Sequence, residues 1–110
     1  MKKVLVVGDS CQDVFIYGKC DRICPEAPVP VFTPVETKVN GGMSKNVFNN
    51  LASLNPSVEY SLYTNTNKIT KTRYVDYKTN QMIVRVDEND KADKFYRNTD
   101  LLRYNYDAVV

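Results

Sequence analysis

The chain opens with a short continuous run of apolar residues. The run covers residues 3–7 and is followed by Gly8-Asp9, a turn signal. A valine-rich run of this length is typical of a strand that is buried on both faces of a parallel sheet. We therefore expect Asp9 and Asp13 to lie just beyond the carboxyl end of a parallel strand, the edge at which open α/β sheets bind ligands.

Residues 25–35 combine alternating valines with closely spaced prolines. Four prolines fall within ten residues, and valines stand at positions 29, 31 and 35. Because proline lacks the backbone N–H and disrupts a helix interior, only extended or edge-strand structure is compatible with this spacing. The pattern predicts exposed β structure that lies off the main sheet.

A helix is predicted after Gly41-Gly42. Apolar residues recur at i, i+4 and i+7 from Val47, which places them on one helical face. Ser44 is the expected N-cap, because a serine oxygen can accept a hydrogen bond from a free amide of the first turn. Asn55-Pro56 is expected to end the helix.

The remaining apolar positions alternate in short segments. We predict strands over residues 58–63, 69–77 and 81–87, of which the last two form a β pair around a polar turn. A short helix is expected over residues 94–105. Residues 107–110 are predicted to begin another buried strand, and since natural domains seldom stop there we expect a chain that has been cut short.

Composition indicates one globular domain. The chain has 110 residues, 43% hydrophobic and 25% charged, with a net charge of +2. No apolar run is long enough to cross a bilayer and the first is too short for a signal peptide, so we expect a cytoplasmic protein with no membrane partner.

Basic and tyrosine residues cluster between residues 68 and 78, but Asp76 interrupts them and alternation along a strand divides them between two faces. A solvated hairpin is favoured over a nucleic-acid surface.

Side-chain chemistry excludes several classes of site. The chain has no histidine, which removes Ser-His and Cys-His nucleophiles. Its cysteines, Cys11, Cys20 and Cys24, are an odd set confined to the first quarter of the chain and do not make a disulfide framework. A tetrahedral metal site needs four ligands, so we expect no metal.

Three segments carry a more specific signal. Residues 6–13 read Val-Val-Gly-Asp-Ser-Cys-Gln-Asp, residues 22–31 read Arg-Ile-Cys-Pro-Glu-Ala-Pro-Val-Pro-Val, and Gly41-Gly42 precedes Asn-Val-Phe-Asn-Asn-Leu-Ala-Ser-Leu at residues 46–54. Together they resemble the ribokinase-like (PfkB-type) carbohydrate kinases, and within them the heptose-phosphate kinases. The second segment is the most specific, with Cys24 where those kinases have serine.

The resemblance implies an α/β, ribokinase-like fold of which this chain has the N-terminal part. We expect a single partial domain over residues 1–110, with a narrow, mainly parallel sheet, few helices and a β-strand lid formed by residues of about 17–39 and 68–88. Between Thr64 and Ile69 the family usually places a Gly-Asp-Asp element, a helix and a strand. An internal deletion is therefore expected at this point.

The resemblance also implies substrate-binding residues. Five residues are expected to contact a sugar or sugar phosphate: Asp13, Gly41, Gly42, Asn46 and Asp9. A carboxylate accepts hydrogen bonds from two neighbouring hydroxyls, and glycines let a ligand approach the backbone. The alternatives are that Asp13 hydrogen-bonds its own loop, that the glycines make a tight turn with positive φ, and that Asn46 is an exposed polar residue.

Two features of the sequence concern phosphate: basic residues that could contact it, and a catalytic motif that the chain lacks. Arg22, Lys71 and Arg73 are candidates for contacting a phosphate on the sugar, with solvated charge on β strands as the alternative. The family's catalytic Gly-Ala-Gly-Asp motif cradles the transferred phosphate, whereas residues 43–110 contain no glycine. We expect no catalytic residue here, and ATP and Mg²⁺ only for a full-length kinase.

These observations lead to one functional hypothesis and one alternative. The chain is expected to be the sugar- or sugar-phosphate-recognising portion of a heptose-phosphate-kinase-like enzyme, inactive without the ATP-binding half. The alternative is a non-enzymatic kinase remnant that dimerises or binds a sugar. We also expect a homodimer through the lid, since exposed strand edges tend to pair.

Overall fold

The structure is a computed structural model that describes residues 1–93 and 105–110. Within these residues its elements are β1 (Lys3–Val7), β2 (Ser10–Ile23), β3 (Pro30–Met43), α1 (Ser44–Leu54), β4 (Glu59–Tyr63), β5 (Thr70–Asp76), β6 (Met82–Glu88) and β7 (Ala108–Val109). The helix predicted over residues 94–105 lies outside the described residues, except for its last residue.

A three-stranded parallel sheet carries the buried part of the molecule. β1 lies in the middle, with β4 on one side and β7 on the other. Leu5 and Val6 of β1 are 6% and 1% exposed, as expected for a strand covered on both faces. α1 packs against β1 and β4. The predictions of a narrow parallel sheet with one helix, and of strands over residues 3–7, 58–63 and 107–110, are confirmed.

A four-stranded mixed sheet makes up the rest of the described fold. Its order is β3-β2-β5-β6; β2 and β5 run parallel, and the two outer pairs are antiparallel. The β pair predicted over residues 69–77 and 81–87 is confirmed. Pro30 and Pro34 lie in β3, an edge strand, where a missing N–H interrupts no ladder on the outer side.

Each face of the four-stranded sheet has its own chemistry, because alternate residues of a strand point to opposite sides. One face, here called the polar face, carries Asp13 and Tyr17 of β2 beside Lys71 and Arg73 of β5. The other, here called the apolar face, carries residues such as Val14, Ile16, Thr72, Tyr74, Val84 and Val86.

The chain has a radius of gyration of 18.8 Å, whereas a compact domain of this length has about 13 Å. This extended shape leaves much of the sheet uncovered.

The start of α1 differs from the prediction that Ser44 caps it. Met43 is the N-cap, with a φ of 54° and no side-chain capping hydrogen bond. Ser44 is the first helical residue, and its hydroxyl donates to the carbonyl of Gly8 at 3.0 Å. The positive φ of this junction therefore falls on Met43, while Gly41 and Gly42 have negative φ and pair with β2 as the end of β3.

Candidate functional site

The carboxylate of Asp13 lies between a glycine and an arginine at the base of the polar face. Its Oδ1 accepts a hydrogen bond from Nη1 of Arg73 at 2.9 Å, and the Asp13 side chain is 24% exposed. Gly42 is the residue opposite Cys11 on β3. A methyl group added at Gly42 would lie 2.6 Å from Oδ2 of Asp13 and 2.5 Å from Sγ of Cys11. Only glycine leaves space for this carboxylate.

Gly41 contacts a different set of groups, on α1. A methyl group there would meet the side chain of Lys45 and would lie 3.3 Å from Nδ2 of Asn49. Lys45 and Asn49 are four residues apart and share one face of the helix. Asn46, the residue expected from the sequence, is an exposed residue of the same first turn. Lys45 and Asn49 were not predicted, although the i, i+4 spacing from the glycine pair could have indicated them.

Asp9 holds the helix through its backbone. Its carbonyl accepts the amide hydrogen of Ser44 at 3.0 Å, and the residue is exposed. It borders a cleft of about 240 Å³ together with Gly8, Ser44 and Val47. Asp9 therefore lies at the carboxyl edge of β1, as the sequence predicted.

Two of the three cations proposed for phosphate lie beside Asp13. Nζ of Lys71 is 3.5 Å from Oδ2 of Asp87 and 3.4 Å from Oδ1 of Asp90. The guanidinium of Arg73 lies 5.1 Å from the centroid of the Phe15 ring. Arg22 is near the far end of β2, nine residues from Asp13, which corresponds to about 30 Å along an extended strand. One copy of the chain does not bring Arg22 to Asp13.

Cys11 forms the floor of the site. It is buried, and its thiol donates to Oδ1 of Asp13 at 3.7 Å. Burial raises the pKa of this thiol, and the negative charge of Asp13 and the hydrogen bond to it raise the pKa further. Cys11 is therefore a protonated donor to the carboxylate. Among the described residues, no group of three or more Cys, Asp or Glu side chains is arranged to hold a metal ion.

Asn65 joins the two sheets: it follows β4 and hydrogen-bonds to Ser10, the first residue of β2, three residues before Asp13. Its Oδ1 accepts the backbone N–H of Ser10 at 2.7 Å and the hydroxyl of Thr64 at 2.9 Å. Its Nδ2 donates to the carbonyl of Asn67 at 2.8 Å. Asn65 is 7% exposed, so these bonds fix where β2 starts relative to the end of β4. Asn65 was not among the residues predicted from the sequence.

Within residues 1–93 and 105–110 no helix is long and apolar enough to span a membrane.

Comparison with known proteins gives sequence relatives but no family model that matches. The bifunctional protein HldE of Helicobacter pylori strain J99 is 39% identical over 116 residues, covering 83% of this chain and 25% of the relative. HldE of Haemophilus influenzae strain PittEE is 49% identical over 57 residues, covering 52% of this chain and 12% of the relative. The chain thus spans a quarter or less of the length of these curated relatives.

The first of these alignments also bears on the expected deletion. It runs over 116 positions but includes 83% of this chain, which is about 91 of its 110 residues. About 25 aligned positions of the relative therefore have no counterpart here. In the structure only residues 64–69 separate β4 from β5, which is consistent with an internal deletion at the predicted place.

A solved structure agrees on the fold. A protein from Clostridium perfringens that is assigned as a sugar kinase matches 99% of this chain and 43% of its own length, with a TM-score of 0.57 and 13% identity. Fold and sequence together define the class: the chain has a ribokinase-like fold and is similar in sequence to part of the HldE proteins. Within this class, its curated relatives are the HldE proteins, and the chain corresponds to an N-terminal part of them.

Proposed function

We propose that this chain is the sugar-recognising part of a PfkB-type carbohydrate kinase that resembles the heptose-phosphate kinases. The observation that carries the proposal is the placement of the Asp13 carboxylate against Gly42, close to where the two sheets join. The Asp13 carboxylate is fixed in place yet 24% exposed, so the hydroxyl groups of a sugar can reach it from solvent. The three thiols are free, which suits the reducing cytoplasm.

Asp13 and its neighbours supply matching groups for sugar hydroxyls. An ionised carboxylate accepts hydrogen bonds from two adjacent hydroxyls, and charge-assisted bonds of this kind are about twice as strong as neutral ones. Lys45 and Asn49 of α1 add donors on the Gly41 side. Asp9 and Asn46 remain predicted contacts, at the exposed margin of the same edge.

We propose that this chain has no binding site for the phosphates of a nucleotide. A phosphoryl-transfer site needs backbone amides that cradle the phosphates, and residues 43–110 contain no glycine with which to build such a loop. We therefore propose that ATP, Mg²⁺ and the catalytic aspartate act only in a full-length kinase, and that this chain contributes substrate binding.

Calorimetric titration with heptoses, hexoses and their phosphates tests the sugar site. The parent chain should bind at least one of them, and Asp13→Ala should abolish that binding. Asp21→Ala is the matched control, because it removes an exposed carboxylate near the far end of the same strand, away from the proposed site. If Asp13→Ala binds as well as the parent, the site assignment is wrong.

A turnover assay tests whether the isolated chain lacks kinase activity. With ATP, Mg²⁺ and the same sugars, the isolated chain should transfer no phosphate. Turnover that co-purifies with the chain and disappears in Asp13→Ala would show that the nucleotide site is present after all.

A second candidate function is a dimerising remnant, and the apolar face favours it. Ile83, Val84 and Val86 are 42%, 50% and 40% exposed, which is high for three apolar residues on one strand. Phe32 and Tyr74 meet edge to face beside them, at a ring distance of 5.5 Å. Phe32, Tyr74, Ile83 and Val84 border a groove of about 500 Å³. We propose that a second copy of this chain covers the groove in a two-fold interface through the lid.

A further inference from the structure

We infer that Arg73 is a positioning residue for Asp13, and that this edge takes the uncharged, hydroxyl-bearing part of the sugar and not its phosphate. The inference rests on the proposed function and specifies the substrate chemistry of that same site. It replaces a direct phosphate contact by Lys71 and Arg73 with a structural role for both cations.

Contacts on several sides hold the guanidinium of Arg73. Its Nη1 donates to Oδ1 of Asp13 at 2.9 Å and to the carbonyl of Lys71 at 3.4 Å. Its central carbon lies 5.1 Å from the centroid of the Phe15 ring. The side chain is 21% exposed. An arginine held in this way is preorganised for its carboxylate, and Nη1, which makes both hydrogen bonds, is not available to a phosphate.

Three cations on β5 and β6 of the polar face are paired with carboxylates. Lys71 is 12% exposed and is paired with Asp87 and Asp90. Arg85 is paired with Asp87 at 3.0 Å. With Asp13 and Arg73 added, three cations of the described residues face three carboxylates. Because each of these three cations already has an anionic partner, none of the three is free to attract a phosphate.

The pairing leaves one oxygen of Asp13 for a ligand. Oδ1 accepts from Arg73 and from the thiol of Cys11. No donor among the described residues bonds to Oδ2, which faces the backbone of Gly42. Arg73 thus fixes the carboxylate so that Oδ2 presents its lone pairs beside a residue that has no side chain. Hydroxyl groups are the partners that this geometry accepts.

Matched pairs of ligands test the inference. Binding of mannose and mannose 6-phosphate, and of fructose and fructose 6-phosphate, is measured by NMR titration at constant ionic strength. Arg73→Gln should weaken both members of a pair by the same factor, about tenfold, as expected for the loss of one charge-assisted hydrogen bond. In an Asp13→Asn background Arg73→Gln should cause no further loss, because its effect passes through that carboxylate. If Arg73→Gln does not fold, Arg73→Lys replaces it, because lysine keeps the positive charge but not the planar guanidinium group.

A charge-neutral double variant tests Lys71. Lys71→Met with Asp90→Asn removes one charge of each sign and should leave the ratio of the two affinities unchanged. The inference is overturned if Arg73→Gln weakens only the phosphorylated member, if its effect persists in full beside Asp13→Asn, or if the Lys71 variant removes a preference for the phosphate. Absence of binding by every ligand overturns the proposed function itself.

Discussion

Replacing Gly42 with alanine is expected to destabilise the protein by about 2 kcal/mol, as an overpacked methyl group does in a closed site. The added carbon would lie 2.5 Å from Sγ of Cys11 and 2.6 Å from Oδ2 of Asp13, well inside van der Waals contact. Gly42 has a negative φ, so the backbone itself accepts alanine. Space is therefore the one reason for glycine at this position.

Thermal and urea unfolding followed by circular dichroism measure this effect. For a domain of this size, 2 kcal/mol corresponds to a fall in Tm of about 8 °C. Gly41→Ala is the matched control and should be milder, because the atoms in its way belong to the flexible side chain of Lys45. Adding Cys11→Ala to Gly42→Ala removes one of the two clashes and should restore part of the loss. If Gly42→Ala is as stable as the parent, the Asp13 carboxylate does not lie in close contact with the backbone of Gly42.

Three further predictions follow from the same structure. The chain should sediment as a dimer at micromolar concentration and Val84→Asp should give monomers; a monomer throughout, unchanged by Val84→Asp, excludes the interface. Asn65→Ala should lower the free energy of unfolding in urea by about 2 kcal/mol, because it leaves the N–H of Ser10 without its acceptor; an unchanged urea midpoint contradicts the joining role. Hydrogen bonds from Thr66 hold the pKa of Asp93 below its ordinary value of 3.8, so its contribution is present above that value and is lost as pH falls below it. Thr66→Val should flatten stability measured between pH 2 and 5, and an unaltered pH profile contradicts it.

Local pattern predicted several elements but not β2, which begins at Ser10 and includes Asp13, a residue expected just beyond the end of β1. The valine-rich run became β1, the alternating segments became β5 and β6, and Asn55-Pro56 ended the helix. These signals succeed because each depends on residues that are neighbours in sequence. The helical stripe was less reliable, since Leu54 is 81% exposed although it shares the spacing of Val47 and Leu51.

Contacts between distant residues were not accessible to the same reasoning. Arg73 meets Asp13 across sixty residues, through a parallel β2–β5 pairing that periodicity does not encode. The start of α1 was misassigned because the hydroxyl of Ser44 bonds to Gly8, on another element, and not to its own first turn. The resemblance supplied the candidate site residues, whereas the structure supplied their partners.

The measurement that tests the central claim most directly is an NMR chemical-shift titration of the labelled chain with the sugar that binds it best. We expect the largest changes on the amides of Asp13, Gly41 and Gly42, with smaller changes on α1 at Lys45 and Asn49, and we expect Asp13→Ala to remove them. Changes confined to the apolar face, or a pattern that Asp13→Ala leaves intact, would contradict the claim that Asp13 and the glycine pair recognise the sugar.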